Sequence, residues 1–198
     1  MSERPRALGL DLMDTVIRDP WRDVVERMIG MTVEESRPMR DRDAWADFEL
    51  GVIDERGYAA RFFLPHSGRR LDVARLRREF NDGYAFVEGM EALLEEVAPR
   101  APIHILSNYP PWYEDVRALF QLDRFVAGHH PSYTVGARKP DALYYERVLA
   151  RTGLAPHELL FVDDREENVD AARALGMPAV LFTDADALRR ELVLHGML

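Results

Sequence analysis

Five side chains of this sequence can carry out group transfer, and all but the lysine follow short apolar segments. They are the carboxylates of Asp11, Asp163 and Asp164, the hydroxyl of Ser107 and the ammonium group of Lys139. A carboxylate such as Asp11 can attack phosphorus and form an acyl-phosphate that water later hydrolyses. A hydroxyl can bind a phosphoryl oxygen, and a nearby ammonium group offsets the charge shared by nucleophile and phosphoryl group. Taken together, these residue types predict chemistry on a phosphate ester.

Each of these residues also has an ordinary structural interpretation when it is considered alone. Asp11 is compatible with a turn or a helix cap, Ser107 with a cap, and Lys139 with a solvated loop before a helix that starts at Pro140. The adjacent pair Asp163-Asp164 is harder to explain structurally, because like charges repel when they are desolvated. A divalent cation removes this conflict, and hard oxygen ligands favour Mg²⁺.

The segments that precede these residues predict the fold. Four apolar runs have the length of strands buried on both faces, namely Arg6–Leu10, Ile103–Leu106, Leu159–Val162 and Ala179–Phe182. Helical patterns lie between them, including Met90–Val97 and Leu143–Leu149. This alternation predicts an α/β fold with a doubly wound, mostly parallel sheet. Ligands bind beyond the carboxyl ends of such strands, so we expect the candidate residues to converge there.

Residues 18–84 interrupt the alternation and have helical patterns instead. The predicted helices are Trp21–Met31, Asp43–Leu50, Glu55–Phe63 and Val73–Tyr84. An insertion after the first strand predicts a small helical cap above the strand ends. We therefore expect a core domain formed by residues 1–17 and 85–198 and a cap domain formed by residues 18–84.

Composition excludes several other classes of function. The formal net charge of -9 argues against a nucleic-acid partner, which calls for a basic surface. No apolar run is long enough to span a membrane, and the N-terminal residues lack the pattern of a signal peptide. The absence of cysteine excludes disulfides and thiolate chemistry. We expect a cytoplasmic protein with a small-molecule partner, whereas the sequence does not indicate an oligomeric state.

The order Asp, Ser, Lys and Asp-Asp at strand ends resembles the four motifs of the haloacid dehalogenase superfamily. The resemblance covers nearly the whole chain, including a helical cap of the C1 type, and implies a Mg²⁺-dependent phosphatase with a Rossmann-like core. It implies that Asp11 is the nucleophile and that Ser107 and Lys139 hold the phosphoryl group. The implied Mg²⁺ ligands are Asp11, Asp164 and the backbone carbonyl of Met13. Asp163 would support the metal site, and Asn168 would orient its loop.

The chain departs from most phosphatases of this superfamily at Met13. They place there a second Asp, which protonates the leaving group and then activates water. Asp14 is the nearest candidate to replace it, although it can also serve only to brace the loop. Two alternatives follow from Met13, namely a weak or non-catalytic ligand-binding protein and a metal-independent 2-haloacid dehalogenase. The retained acidic pair argues against the dehalogenase, and the lack of Lys in residues 18–84 argues against phosphonate cleavage through a Schiff base.

A narrower resemblance links the chain to the plant chloroplast flavin mononucleotide (FMN) hydrolases. The segments that carry it are Asp11–Pro20, Phe48–Glu55, Ser107–Tyr113, Arg138–Asp141 and Asp163–Asn168. That family is similar in having Met followed by Asp after the nucleophile. The resemblance implies hydrolysis of FMN to riboflavin through an aspartyl-phosphate. The candidate substrate-binding residues are Asn108, Arg18, Glu49 and Trp112.

Overall fold

The computed structural model describes residues 4–198, and residues 1–3 of the expected core lie outside the described part. The described strands are β1 (Ala7–Leu10), β2 (Ile17–Arg18), β3 (Ala85–Phe86), β4 (Ile103–Ser107), β5 (Val126–Pro131), β6 (Leu159–Asp163) and β7 (Ala179–Leu181). The first described helices are α1 (Trp21–Ile29), α2 (Val33–Ser36), α3 (Ala44–Glu49), α4 (Glu55–Arg61), α5 (Val73–Gly83) and α6 (Met90–Val97). They are followed by α7 (Tyr113–Leu119), α8 (Ser132–Val135), α9 (Ala142–Thr152), α10 (Glu166–Ala174) and α11 (Ala185–Leu194). None of these helices is long and apolar enough to cross a bilayer.

Five of the strands form one parallel sheet in the order β5-β4-β1-β6-β7. This arrangement confirms the α/β fold with a parallel sheet. The central strand β1 pairs with β4 on one side and β6 on the other, so that Leu10 lies between Ile105 and Val162. Strand order therefore changes direction at β1, and such a point forms a crevice at the carboxyl ends of the strands.

The central strands of the sheet, β1, β4 and β6, are covered on both faces, which explains why they are nearly continuous apolar runs. All four residues of β1 are buried. Leu8 and Leu10 point into the larger apolar cluster, which extends into the helices α1–α5, whereas Ala7 points into a smaller cluster. The smaller cluster contains Tyr145 and Phe161. Neighbouring side chains of β1 thus pack into the two apolar clusters, which fixes the position of the strand end.

Helices α1–α5 occupy the segment between β2 and β3. These two short strands pair antiparallel, with Ile17 opposite Phe86, and bring both ends of the segment together. We propose this two-stranded ribbon as the boundary between core and cap. The sequence patterns missed α2, a helix of four residues that begins at a capping box formed by Thr32 and Glu35.

The sequence patterns identified no strand around His129 and His130. Both residues lie in β5, the edge strand that pairs with β4. Gly128 and the two histidines interrupt the apolar pattern that reveals the other strands. A Cβ atom at Gly128 would lie 2.4 Å from Nδ1 of His104, so the close approach of β4 and β5 requires glycine there.

Replacing Phe161 by alanine should lower the free energy of unfolding by about 3–5 kcal/mol. This side chain is fully buried in β6, and its ring packs 5.5 Å from that of Tyr145. The measurement is equilibrium denaturation by urea. As a control, Val193→Ala removes apolar atoms from a residue of α11 that is 56% exposed, and its stability should stay within about 0.5 kcal/mol of the parent. Equal losses in the two variants would contradict the assignment of Phe161 to the core.

Candidate active site

Two strand ends bring the carboxylates of the site together. Asp11 follows β1, Asp163 is the last residue of β6, and Asp164 comes next. One carboxylate oxygen from each of these residues lies within 4.8 Å of the others. Ser107, the last residue of β4, lines the same cavity, and its hydroxyl makes no hydrogen bond within the described chain. The hydroxyl is thus available to a ligand oxygen.

Lys139 joins two of these carboxylates from the loop between α8 and α9. Its Nζ donates hydrogen bonds of 2.6 Å to Oδ1 of Asp11 and to Oδ2 of Asp163. The side chain is 1% exposed and lies 5.3 Å from the centroid of the Phe161 ring. A buried ammonium group at this point is stable only because two anionic acceptors surround it.

Asn108 fixes the backbone of Lys139. Its amide nitrogen donates to the carbonyl of Lys139 at 2.8 Å, and its amide oxygen accepts from the backbone N–H of Lys139 at 2.8 Å. Asn108 also lines the cavity. Its role in substrate binding stays a prediction, and the described contacts show that it positions the lysine.

The site carries more negative than positive charge, and the raised pKa values of its carboxyl groups reflect this imbalance. Burial is the main reason that the pKa of Asp11 rises to about 7; Lys139 opposes the rise, whereas Asp163 and Asp164 add to it. Burial, followed by the charge of Asp163, also raises the pKa of Asp164. Burial alone would lower the pKa of Lys139, but Asp11 and Asp163 outweigh it and raise the pKa. One lysine therefore does not balance three carboxylates.

Asp163 is held in place by groups that follow it in the chain. Its Oδ1 accepts hydrogen bonds of 2.9 Å from Nδ2 of Asn168 and from the backbone N–H of Arg165. Tyr145 in turn donates to the backbone carbonyl of Asn168 at 2.8 Å. Asp163 thus has both oxygens engaged, and it orients Lys139 and the loop after β6.

The donor set fits a hard divalent cation. Asp11 and Asp164 offer carboxylate oxygens at the cavity, and the Met13 segment lines the same wall. Oδ1 of Asn168 is buried at this wall without a hydrogen-bond partner, so it can accept a hydrogen bond from a cation-bound water. An oxygen-only set with room for water is the environment that Mg²⁺ prefers.

The cavity above these residues has a volume of about 310 Å³, and we call it the catalytic cavity. The half-buried side chain of Met13 lines it and packs against the larger apolar cluster. Asp14 is exposed, has a left-handed backbone (φ 56°), and accepts a hydrogen bond of 3.0 Å from the backbone N–H of Asp19. Asp14 therefore braces the loop that follows the nucleophile.

Asp19 is a cavity residue that the sequence analysis missed. Its carboxylate accepts a hydrogen bond of 2.8 Å from the backbone N–H of Trp21 and lines the catalytic cavity. Burial raises the pKa of Asp19 to about 6, and the charges of Asp14 and Asp164 add to the rise. Asp19 lies five positions after Asp14, and although it falls within the segment Asp11–Pro20, no catalytic role was assigned to its carboxylate.

Glu49 reaches the cavity from the cap. Its Oε2 lies 2.6 Å from a guanidinium nitrogen of Arg138, the residue before Lys139. Glu49 is 5% exposed, and burial raises its pKa to about 7 against the opposing charge of Arg138. Helix α3 also accepts a hydrogen bond through the Glu49 carbonyl from Ser132 Oγ. The cap therefore closes directly over the lysine loop.

Two predicted substrate-binding residues do not line this cavity. Arg18 is exposed in the β2–β3 ribbon. Trp112 is buried among cap aromatics, with its ring 5.2 Å from that of Phe48, and its indole N–H donates to Glu55. Its position next to the Ser107 motif suggested a ligand contact, but the side chain points into the packing between cap and core.

Comparisons with known proteins agree with this geometry. A family model described as haloacid dehalogenase-like hydrolase matches residues 6–176. Flavin mononucleotide hydrolase 1 from Arabidopsis thaliana, a chloroplast protein, is 34% identical over 186 residues, which cover 93% of this chain and 75% of that protein. A sesquiterpene phosphatase from Aspergillus oryzae is 28% identical over 179 residues, which cover 87% and 88%.

A solved structure shows the same fold. It is a haloacid dehalogenase family enzyme from Bacteroides thetaiotaomicron in complex with magnesium and inorganic phosphate. It matches with a TM-score of 0.73 at 19% identity, covering 91% of this chain and 96% of that chain. The family model spans most of the sequence, and the parallel sheet carries its acidic residues at the expected strand ends. The chain belongs to the haloacid dehalogenase-like hydrolases.

Proposed function

We propose that this protein is a Mg²⁺-dependent phosphatase that hydrolyses a small phosphate monoester, with FMN as the leading substrate. The observation that carries the proposal is the buried Lys139, hydrogen bonded at 2.6 Å to both Asp11 and Asp163, with Asp164 beside them. A structural role alone does not account for three carboxylates around one buried amine. The FMN hydrolase from Arabidopsis thaliana, 34% identical to this chain, supports the choice of substrate.

Asp11 is the proposed nucleophile. Lys139 engages its Oδ1, whereas its Oδ2 makes no hydrogen bond within the described residues and is free to attack. Attack of this oxygen on phosphorus forms an acyl-phosphate and breaks the bond to the ester oxygen, which leaves with a proton. Water then attacks the phosphorus of the acyl-phosphate, which releases inorganic phosphate and restores the Asp11 carboxylate.

The remaining polar groups bind and orient the phosphoryl group. We assign its oxygens to the free hydroxyl of Ser107 and to the ammonium group of Lys139, which also holds Asp11 in place. Asp11, Asp164 and the Met13 carbonyl would hold Mg²⁺, supported by Asp163. When bound, the cation offsets the charge of the phosphoryl group and of the carboxylates, which favours attack by an anionic nucleophile.

We assign proton transfer to Asp19, in place of the aspartate that other family members have at the Met13 position. Asp14, the candidate indicated by the sequence, also lines the cavity, but it is exposed and its Oδ1 accepts the backbone N–H of Asp19. Asp19 lines the catalytic cavity, and its pKa of about 6 lets it hold a proton in mildly acidic solution and release it near neutrality. A group with such a pKa can both donate to a leaving oxygen and accept from water.

Asp11→Asn should lower the turnover of FMN by at least about a thousand-fold, because the amide cannot form the acyl-phosphate. Phosphate release from FMN and other small phosphate monoesters is measured with Mg²⁺ and with a chelator. We expect release only with the metal, and the highest kcat/KM for FMN. Asp186→Asn, an exposed change in α11, is the matched control and should keep parent activity. An Asp11→Asn variant as active as the parent would rule out the nucleophile.

Asp19→Asn should lower kcat/KM for FMN by about 100-fold or more, the usual contribution of a general acid. With saturating Mg²⁺, which keeps the nucleophile Asp11 ionised, parent activity should fall as pH rises through about 6, because the acid donates only when protonated. Asp19→Asn should lose this limb. Asp14→Asn should keep the limb. With 4-nitrophenyl phosphate, whose leaving group needs no proton, the Asp19→Asn defect should shrink. A defect of equal size on both esters would contradict the acid role.

A further inference from the structure

A second cavity, which we call the cap cavity, adjoins the catalytic cavity. It has a volume of about 430 Å³, and Asp19 and Trp45 line both cavities. The catalytic cavity is lined mostly by charged and polar side chains that suit a phosphoryl group and a short polar chain. Because the two cavities share these walls, a substrate whose phosphate lies at Asp11 would extend past Asp19 and Trp45 to reach the cap cavity.

Flat aromatic surface forms one part of the cap cavity. Its aromatic lining residues are Trp21, Trp45, Tyr58 and Phe62. Trp45 meets the neighbouring rings of Tyr58 and Tyr109 at angles of 66° and 77°, and no ring of the described chain stacks parallel on it. Trp21 and Trp45 are both only partly buried. This wall therefore offers a planar ligand a parallel stacking contact, which no ring of the described chain makes with Trp45.

Unused hydrogen-bond donors form another part of the cavity. Arg40 donates from one terminal nitrogen to the carbonyl of Val33 at 3.2 Å, while its Nε is buried without a partner. Its guanidinium lies 5.5 Å from the Trp21 ring centroid, and burial lowers its pKa. The side chains of Arg37 and Arg42 make no hydrogen bond or ion pair within residues 4–198. A ligand here must bring acceptor atoms.

The aromatic surface and the unpaired donors of the cap cavity favour some leaving groups of the substrate over others. A hydrocarbon terpene chain has no acceptor atoms, and covering Arg40 with it would leave buried donors without water or partner, which is unfavourable. An isoalloxazine ring is planar, stacks through its aromatic faces, and carries carbonyl oxygens and ring nitrogens along one edge. Its chemistry matches both the indole surfaces and the guanidinium.

We propose that the cap cavity binds the isoalloxazine ring of the substrate, with the ring against Trp21 and Trp45 and its carbonyl edge accepting hydrogen bonds from Arg40. The inference rests on the proposed function, since it places the leaving group of the same reaction. It makes Arg40 a specificity-determining residue of the cap, which no sequence motif marked.

Riboflavin, which lacks the phosphate, tests the ring site without turnover. Quenching of its fluorescence is titrated against the full-length protein. We expect the parent to bind riboflavin and Arg40→Met to bind it about 10–100-fold more weakly, the effect of losing hydrogen bonds from a charged donor. The matched control is Arg78→Met, which removes an exposed arginine of the cap that lines neither cavity. It should bind riboflavin as the parent does.

Turnover gives the second readout. The ratio of kcat/KM for FMN to that for D-ribitol 5-phosphate, which has the same chain and phosphate but no ring, should fall about 10–100-fold in Arg40→Met. Arg40→Lys keeps the charge without the planar fork, and an intermediate ratio is expected. If thermal unfolding shows that Arg40→Met is misfolded, Arg40→Lys replaces it in both measurements.

Three results would overturn the ring site: no riboflavin binding by the parent, equal binding by Arg40→Met and the parent, or an unchanged substrate ratio. Preference for a sugar bisphosphate over FMN, abolished by Arg40→Met, would instead assign the cavity to a second anion. If no ester releases phosphate, the proposed phosphatase function fails, whereas the riboflavin titration still decides whether the ring site exists.

Discussion

The buried ammonium group of Lys139 is the constraint on which the rest of the site depends. It lies between Asp11 at the end of β1 and Asp163 at the end of β6, with a hydrogen bond of 2.6 Å to each. Burial of a charge at this depth is tolerable only with paired, well-oriented partners. The adjacent strands fix the two carboxylates, and Asn108 fixes the lysine backbone. The reacting groups are therefore positioned before any ligand arrives.

The strand ends of the core could be predicted because a strand buried on both faces needs a continuous apolar run. Strands β1, β4, β6 and β7 have such runs, and their predicted ends lie within a residue or two of those in the structure. The edge strand β5 could not be found in this way. Its Gly128, His129 and His130 interrupt the apolar run, and the contact of His130 with His104 in β4 is not revealed by local sequence.

The cap and the contacts between cap and core were harder to predict. A motif marks a residue at the end of a strand, but nothing local tells which face of an aromatic or guanidinium group meets a cavity. Trp112 and Trp45 illustrate this point, because both are aromatic residues near a motif or in the cap, and only Trp45 lines the catalytic cavity. Asp19 and Arg40 gain their properties from burial by distant segments, which raises or lowers their pKa values. Such environments exist only in the folded chain.

The two cavities have opposite charge, and this sets the direction in which a substrate lies. The catalytic cavity is lined by five carboxylates, those of Asp11, Asp14, Asp19, Glu49 and Asp164, and by the three cations of Arg138, Lys139 and Arg165, so its net charge is negative. The cap cavity has three arginines and two aspartates, so its net charge is positive. A phosphate group is repelled by the first cavity until a divalent cation offsets its carboxylates, and it is attracted by the second. Binding of the cation must therefore do more than assist the reaction. The bound cation makes the catalytic cavity the more favourable site for the phosphate group. The arginines of the cap cavity then bind the neutral end of the substrate, which carries the hydrogen-bond acceptors.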